Sequence, residues 1–167
     1  MFKLFGRKKK EEKQQKPIKG FYSIMDGESI DLSDVNDEMF SSRMLGDGIA
    51  VKPTSNTVVS PCDGEVTLVS DTKHAIGLKN EDGVEVLIHI GLDTVKLNGE
   101  GFETLCKVGD SVNVGTPLVK VDREFLKEKN TPDVTMMVIV EPNGHTISKY
   151  NINNSVQAGK SLLLEYE

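Results

Sequence analysis

From Gly20 onward the chain is cut every eight to twelve residues by Gly, Asp, Asn or Pro into short apolar stretches: "FYSIM", "SIDL", "GIAVKP", "NTVVS", "GEVTLVS", "HAIGLKN", "VEVLIHIG", "DSVNV", "PLVKV", "DVTMMVIVE", "HTISKY" and "SLLLEYE". Few are long enough for a helix, and turn residues bound nearly all of them. This spacing predicts an all-β fold, an antiparallel sandwich or barrel. The exceptions are "VDREFLKEKN", which reads as a helix capped by Asp122 with Phe125 and Leu126 inward, and a short turn near "NDEMFSSRML". At 167 residues one domain with a short extension can bury a full core.

The β region also repeats itself. "DSVNVGTPLVKV" (Asp110 to Val121) aligns with "NSVQAGKSLLLE" (Asn154 to Glu165), giving Ser-Val-x-x-Gly-x-x-Leu twice, forty-four residues apart. "SPCDGEVTLV" adds another turn-plus-strand unit. A sandwich of two similar halves places Gly115 and Gly159 at tight bends, where positive φ favours glycine.

Residues 1–19 differ in kind. They carry eight Lys/Arg against Glu11 and Glu12, a net of +6, so the rest of a chain of net −6 stands at −12. The tail is expected to be a flexible basic extension of a domain spanning 20–167. Phe2, Leu4 and Phe5, followed by Arg7 to Lys10, suit either a short amphipathic anchor on an anionic membrane or a solvated tail. The acidic body argues against nucleic acid and suits a basic protein partner. Cys62 and Cys106 lie in no metal or redox spacing, and no secretory signal or membrane-length apolar run is present. A reduced, cytoplasmic protein is the expectation, peripheral to the inner membrane face if the tail anchors it.

Chemistry concentrates on histidine. His145 follows a Pro-Asn-Gly turn and is expected to be an exposed residue without a role. His74 and His89 both fall on apolar stretches joined by "KNEDGVE", which reads as a hairpin that brings the two imidazoles roughly opposite each other. Two facing polar rings are harder to explain by packing than one, because both need partners. Thr72 lies two residues before His74, on the same strand face. Phosphoryl transfer through histidine needs one ring nitrogen tied to an acceptor, so that the other carries the attacking lone pair. It also needs a donor for the phosphoryl oxygens. The Gly91 carbonyl can tie down His89, and His74 can be the second donor.

The residues around His89, "GVEVLIHIGLDTV", resemble the phosphorylation-site signature of the glucose-type enzyme IIA proteins of the bacterial phosphoenolpyruvate-dependent sugar phosphotransferase system: a Gly, an apolar triplet, the His, then apolar-Gly-apolar-x-Thr-apolar. The likeness runs from about Gly27 to the C-terminus and includes "GDGIAVKP", "SPCDGEV", "TKHA", "NGEGF" and "VGDSVNVG". The resemblance implies a duplicated all-β sandwich. It also implies that His89 accepts phosphate at Nε2 from the histidine-containing phosphocarrier protein and passes it to a cysteine of a sugar permease's IIB domain. His74 is then the partner histidine and Thr72 its orienting threonine. Asp37 and Asp93 become rim carboxylates facing an arginine of the phosphocarrier protein, and Met39, Phe40, Met44 and Leu45 an apolar docking rim. Ser70 stands where some relatives carry an aromatic, which bears on partner affinity rather than on chemistry. No cofactor is implied.

Two alternatives come from other classes. "SPCDGEVTLV" and "VGDSVNVGTPLVKV" also resemble biotinyl or lipoyl carrier domains, but no lysine has the setting those domains modify. "HIGLD" gives the His-x-x-x-Asp of lysostaphin-type zinc peptidases, but the chain has no His-x-His. No metal is required, although a zinc ion bound adventitiously between His74 and His89 is compatible with the residues.

Overall fold

The computed structural model describes residues 18–167. The proposed anchor residues Phe2, Leu4, Phe5 and Arg7 to Lys10 lie outside the described residues. The strands are β1 (Gly20–Tyr22), β2 (Gly27–Asp31), β3 (Asp47–Pro53), β4 (Thr57–Val59), β5 (Gly64–Val69), β6 (Ala75–Asn80), β7 (Glu85–Ile90), β8 (Phe102–Thr104), β9 (Ser111–Val112), β10 (Pro117–Val121), β11 (Thr135–Glu141), β12 (Ile147–Tyr150), β13 (Ser155–Val156) and β14 (Leu162–Tyr166). They form an eight-stranded sheet in the order β13-β2-β3-β11-β7-β6-β5-β9 and two three-stranded sheets, β1-β14-β12 and β4-β10-β8. The pairings are antiparallel. Short helices occupy Glu38–Ser41 and Arg123–Glu128, and the Asp122 side chain caps the second by accepting from Phe125 N–H.

The duplication extends further than Ser-Val-x-x-Gly-x-x-Leu. β9 pairs with Gly64–Glu65 and β13 with Gly27–Glu28 in the same register, at opposite edges of the large sheet. Each short strand then turns at a glycine and returns as the central strand of a three-stranded sheet, β10 or β14. The receiving segments match as Ser-x-x-Asp-Gly-Glu, from Ser23 and from Ser60. Asp26 accepts from Ala158 N–H at 2.7 Å, and Asp63 from the equivalent Val114 N–H at 2.9 Å. The halves cross-link reciprocally, Tyr22 N–H to the Pro61 carbonyl and Val59 N–H to the Ile24 carbonyl. Gly115 and Gly159 meet near this join, at φ 89° and 70°. A Cβ on Gly159 would stand 3.0 Å from Gly115 Cα, so glycine is needed for both conformation and closeness.

Pleat alternation assigns the faces of the large sheet. Val86, Ile88 and Ile90 of β7, with Met137 and Ile139 of β11 and Ile49 and Val51 of β3, point into the main core. The opposite face is not left to solvent at its centre. The segment after β2 folds over it, and Ile30, Leu32, Val35, Phe40, Leu92, Met136 and Val138 form a second apolar cluster there. This explains why β7 reads as apolar almost throughout although one face carries an imidazole. His89 lies on the outer face, beside that second cluster. A slip of one residue in register would turn the ring into the main core.

Candidate functional site: a histidine pair on the outer sheet face

His89 is held from both sides by the sheet, opposite Met136 of β11 and Ala75 of β6. His74 differs from the sequence expectation. It lies in the turn before β6, not on a strand, and Ala75 rather than His74 stands opposite His89. The cause is local. Lys73 adopts a left-handed conformation at φ 63°. Ser70 closes the turn, its N–H bonding the Ala75 carbonyl at 3.0 Å and its hydroxyl accepting from Ala75 N–H at 3.1 Å. The turn carries the His74 ring back over its neighbour. The two ring centroids are 4.8 Å apart at 78°, edge to face. Thr72 belongs to the same turn, so its hydroxyl reaches His74 Nδ1 at 2.7 Å through turn geometry rather than strand alternation. Nothing in local sequence marks Ser70 for this duty.

The Nδ1 atom of His89 lies 3.0 Å from the Gly91 carbonyl. A carbonyl only accepts, so this nitrogen carries the proton, and Nε2 of the neutral ring carries the lone pair. Neither Nε2 has a hydrogen-bond partner among the described residues. Burial and the neighbouring His74 pull the His89 pKa down to about 4, against a weaker raising influence of the Gly91 bond and the Asp37 charge. Burial also lowers the pKa of His74. Both rings are therefore neutral near pH 7.

This has a consequence for stability. The unfolded chain protonates His89 near pH 6.5 while the native chain resists to about 4, so native stability falls as the pH drops through that window. The penalty reaches roughly 3 kcal/mol only below the native pKa, where both states are protonated, less whatever the solvent-facing part of the ring recovers. Urea midpoints of the wild type should fall between pH 6.5 and 4 more steeply than those of His89→Gln. Parallel curves would show that His89 is not the destabilising group.

The rim residues divide. Asp37 caps the helix Glu38–Ser41, accepting from Met39 N–H at 3.0 Å. Met39 and Met44 are exposed, at 47 % and 76 %. Asp93 is exposed and left-handed, at φ 58°, just before the 3-10 turn Thr94–Leu97. Phe40 departs from the expected docking rim. It is 2 % exposed, and its ring lies 4.9 Å from that of His89, so it packs beneath the imidazole instead of offering surface to a partner. Leu45 lines a separate hollow of about 320 Å³ with Val140, Ile147 and Tyr166. Val140 stands four residues along β11 from Met136, the residue opposite His89. Arg43 ties this segment to the sheet edge through Asp47 at 2.9 Å and Asp31 at 3.2 Å.

Two imidazoles supply two of the four ligands of a tetrahedral zinc. Among the described residues no group of three or more His, Cys, Asp or Glu is placed to hold a metal ion. His145 is half-buried rather than exposed, its ring edge-on to Tyr166 at 5.1 Å.

Fold and site together define a duplicated antiparallel sandwich that presents a pair of convergent imidazoles on its outer sheet face. Residues 19–145 match the family model described as phosphoenolpyruvate-dependent sugar phosphotransferase system, EIIA 1, and the chain belongs to that family. It is 40 % identical over 163 residues to the PTS system glucose-specific EIIA component of Staphylococcus aureus, covering 98 % of this chain and 96 % of that one. It is 47 % identical over 143 residues to the PTS system glucoside-specific EIICBA component of Staphylococcus carnosus, which covers 86 % of this chain; the chain spans only 20 % of that longer relative. The solved structure of glucose permease IIA from Mycoplasma capricolum superposes with a TM-score of 0.82 at 34 % identity, over 90 % of this chain and 96 % of that one. Family membership sets aside the biotinyl or lipoyl carrier and the zinc peptidase.

Proposed function

We propose that this chain is a phosphoryl carrier that takes phosphate onto His89 Nε2 from the histidine-containing phosphocarrier protein and passes it to a cysteine of a IIB domain. The supporting observation is the Gly91 carbonyl at His89 Nδ1, which leaves Nε2 as the lone-pair nitrogen beside His74. In the transfer, the P–N bond on the donor breaks as the bond to Nε2 forms, in line and through a loose transition state. Charge spreads over the equatorial oxygens. His74 Nε2–H, available when Nδ1 accepts from the Thr72 hydroxyl, is placed to steady it. The apolar residues around the pair limit the water that would hydrolyse the phosphohistidine. Fusion of EIIA to EIIC and EIIB parts in the Staphylococcus carnosus relatives supports a IIB partner.

In this reading residues 20–167 are the working domain and 1–19 a basic tail. No helix among the described residues is long and apolar enough to cross a membrane. In the same reading the chain works in the cytoplasm, its tail either solvated or, through Phe2, Leu4, Phe5 and the following basic residues, set against the inner membrane face.

The test is reconstitution. With labelled phosphoenolpyruvate and the general phosphotransferase components, the chain should acquire acid-labile label and surrender it to a IIB domain. No label, or label that a IIB domain does not discharge, overturns the reading.

The rim carries its own expectation. Asp37→Asn keeps the helix cap, because Asn also accepts from N2, yet removes a charge near the site. Asp37→Asn and Asp93→Asn should each slow phosphoryl uptake several-fold, through association, with the deficit shrinking as salt screens the encounter. Rapid-quench rates at low and high salt decide it. Uptake that is salt-independent and unchanged in both variants removes these carboxylates from docking.

A further inference from the structure

We propose that Thr94 is a positioning residue for phosphoryl transfer: its buried hydroxyl fastens the turn that presents the Gly91 carbonyl to His89, and so decides which ring nitrogen attacks. This rests on the reading of His89 as the nucleophile.

Thr94 is wholly buried, and its hydroxyl donates to the Ile90 carbonyl at 2.6 Å. Ile90 is the last residue of β7. Immediately beyond it the chain bends at two left-handed residues, Gly91 at φ 75° and Asp93 at φ 58°. The Thr94 bond ties the far end of this bend back to the strand that carries His89. Within the bend, the peptide joining Gly91 and Leu92 is gripped at both ends. Its carbonyl accepts from His89 Nδ1–H at 3.0 Å, and its N–H donates to the Pro132 carbonyl at 3.1 Å. Gly91 N–H donates to the Val134 carbonyl at 2.9 Å. A Cβ on Gly91 would stand 2.7 Å from the Pro132 oxygen, so the fit leaves no room for slack. The loop that supplies both carbonyls is braced in turn, Asp133 bonding Arg123 at 2.9 Å and Thr131 N–H bonding the Leu126 carbonyl.

A side chain that orients a reacting group through a fixed backbone carbonyl acts on the fraction of attack-competent tautomer, not on partner affinity. Without the Thr94 hydroxyl, the Ile90 carbonyl loses its partner and the bend loosens. The proton of the neutral His89 ring is then no longer confined to Nδ1.

The experiment compares Thr94→Val with Thr94→Ser. The ¹⁵N shifts of His89 in the unphosphorylated full chain should report Nδ1–H in the wild type and in Thr94→Ser, and a mixture of tautomers in Thr94→Val. Phosphoryl uptake by Thr94→Val should fall about tenfold, the worth of one hydrogen bond, in kcat with KM unchanged, and Thr94→Ser should restore it. If Thr94→Val does not fold, Arg123→Gln, at a partly exposed ion pair, should move the ¹⁵N shifts in the same direction by a smaller amount. An Nδ1–H tautomer that stays pure in Thr94→Val, or in Arg123→Gln where that variant stands in, overturns the proposal. So does a kcat loss that Thr94→Ser does not recover. The ¹⁵N readout needs no phosphate, so a failure of the His89 assignment shows separately, as label on another residue.

Discussion

His89→Ala should acquire no acid-labile phosphate from the histidine-containing phosphocarrier protein, where the wild type becomes labelled to near one phosphate per chain. His89 Nε2 is the nitrogen that the Gly91 carbonyl forces to hold a lone pair, on a ring gripped between β6 and β11. His74 is no substitute. Its Nδ1 partner is a hydroxyl, which can donate or accept, so nothing compels its Nε2 to be the basic nitrogen. The substitution should leave the fold standing, since the main core is on the other sheet face and the ring is only half-buried. Below pH 6 the variant should even gain stability on the wild type, because a group that resists protonation in the native state is gone. An unlabelled chain that unfolds normally in urea separates lost chemistry from lost structure. Persistent acid-labile label on His89→Ala, located by mass spectrometry at His74, would place the nucleophile on the other ring.

What the sequence made legible followed from periodicity. Alternation and turn residues marked the strands, Asp122 marked the helix start, and the repeated Ser-Val-x-x-Gly exposed the duplication. Where local pattern failed, the deciding contact came from far along the chain or from backbone freedom that composition hides. The partnership of Asp26 with Ala158 spans 132 residues. The equivalence of Ser23 to Ser60 emerges only when the short edge strands are seen to pair alike. His74 read as a strand residue because it opens the apolar stretch "HAIGLKN". The left-handed Lys73 that ends the strand early belongs to a residue type that seldom adopts that conformation. Phe40 read as docking surface because the family resemblance sets "DEMFSSRML" at the rim. Its burial depends on the segment after β2 closing over the sheet, which no window of ten residues contains. The histidine pair was legible as a pair, but its geometry was not. One residue of register and one turn decide how the rings meet.

That geometry makes His74→Gln the sharper test of mechanism. Gln retains an N–H donor of similar reach but cannot take up a proton and a positive charge. In the wild type His74 is neutral at rest, its pKa lowered by burial. A dianionic phosphoryl group arriving on the neighbouring ring acts against that lowering, since a nearby anion favours the charged imidazole. His74 can thus acquire charge as the phosphoryl group arrives and hold it while the group departs. Uptake at His89 should survive in His74→Gln, because the nucleophile, its Gly91 tether and a neutral donor all remain. Transfer onward to the IIB cysteine should fall about a hundredfold or more, the usual cost of removing a preorganised group at a site of developing charge. The variant should accumulate phosphate and discharge it slowly, which single-turnover chase with an excess of IIB domain measures directly. The Thr72 hydroxyl adds a second arm. It fixes the His74 ring from Nδ1 at 2.7 Å, so Thr72→Ala should weaken onward transfer in the same direction and by less. If His74→Gln discharges at the wild-type rate, His74 contributes packing alone, and the charge that the leaving phosphoryl group needs is supplied by the partner.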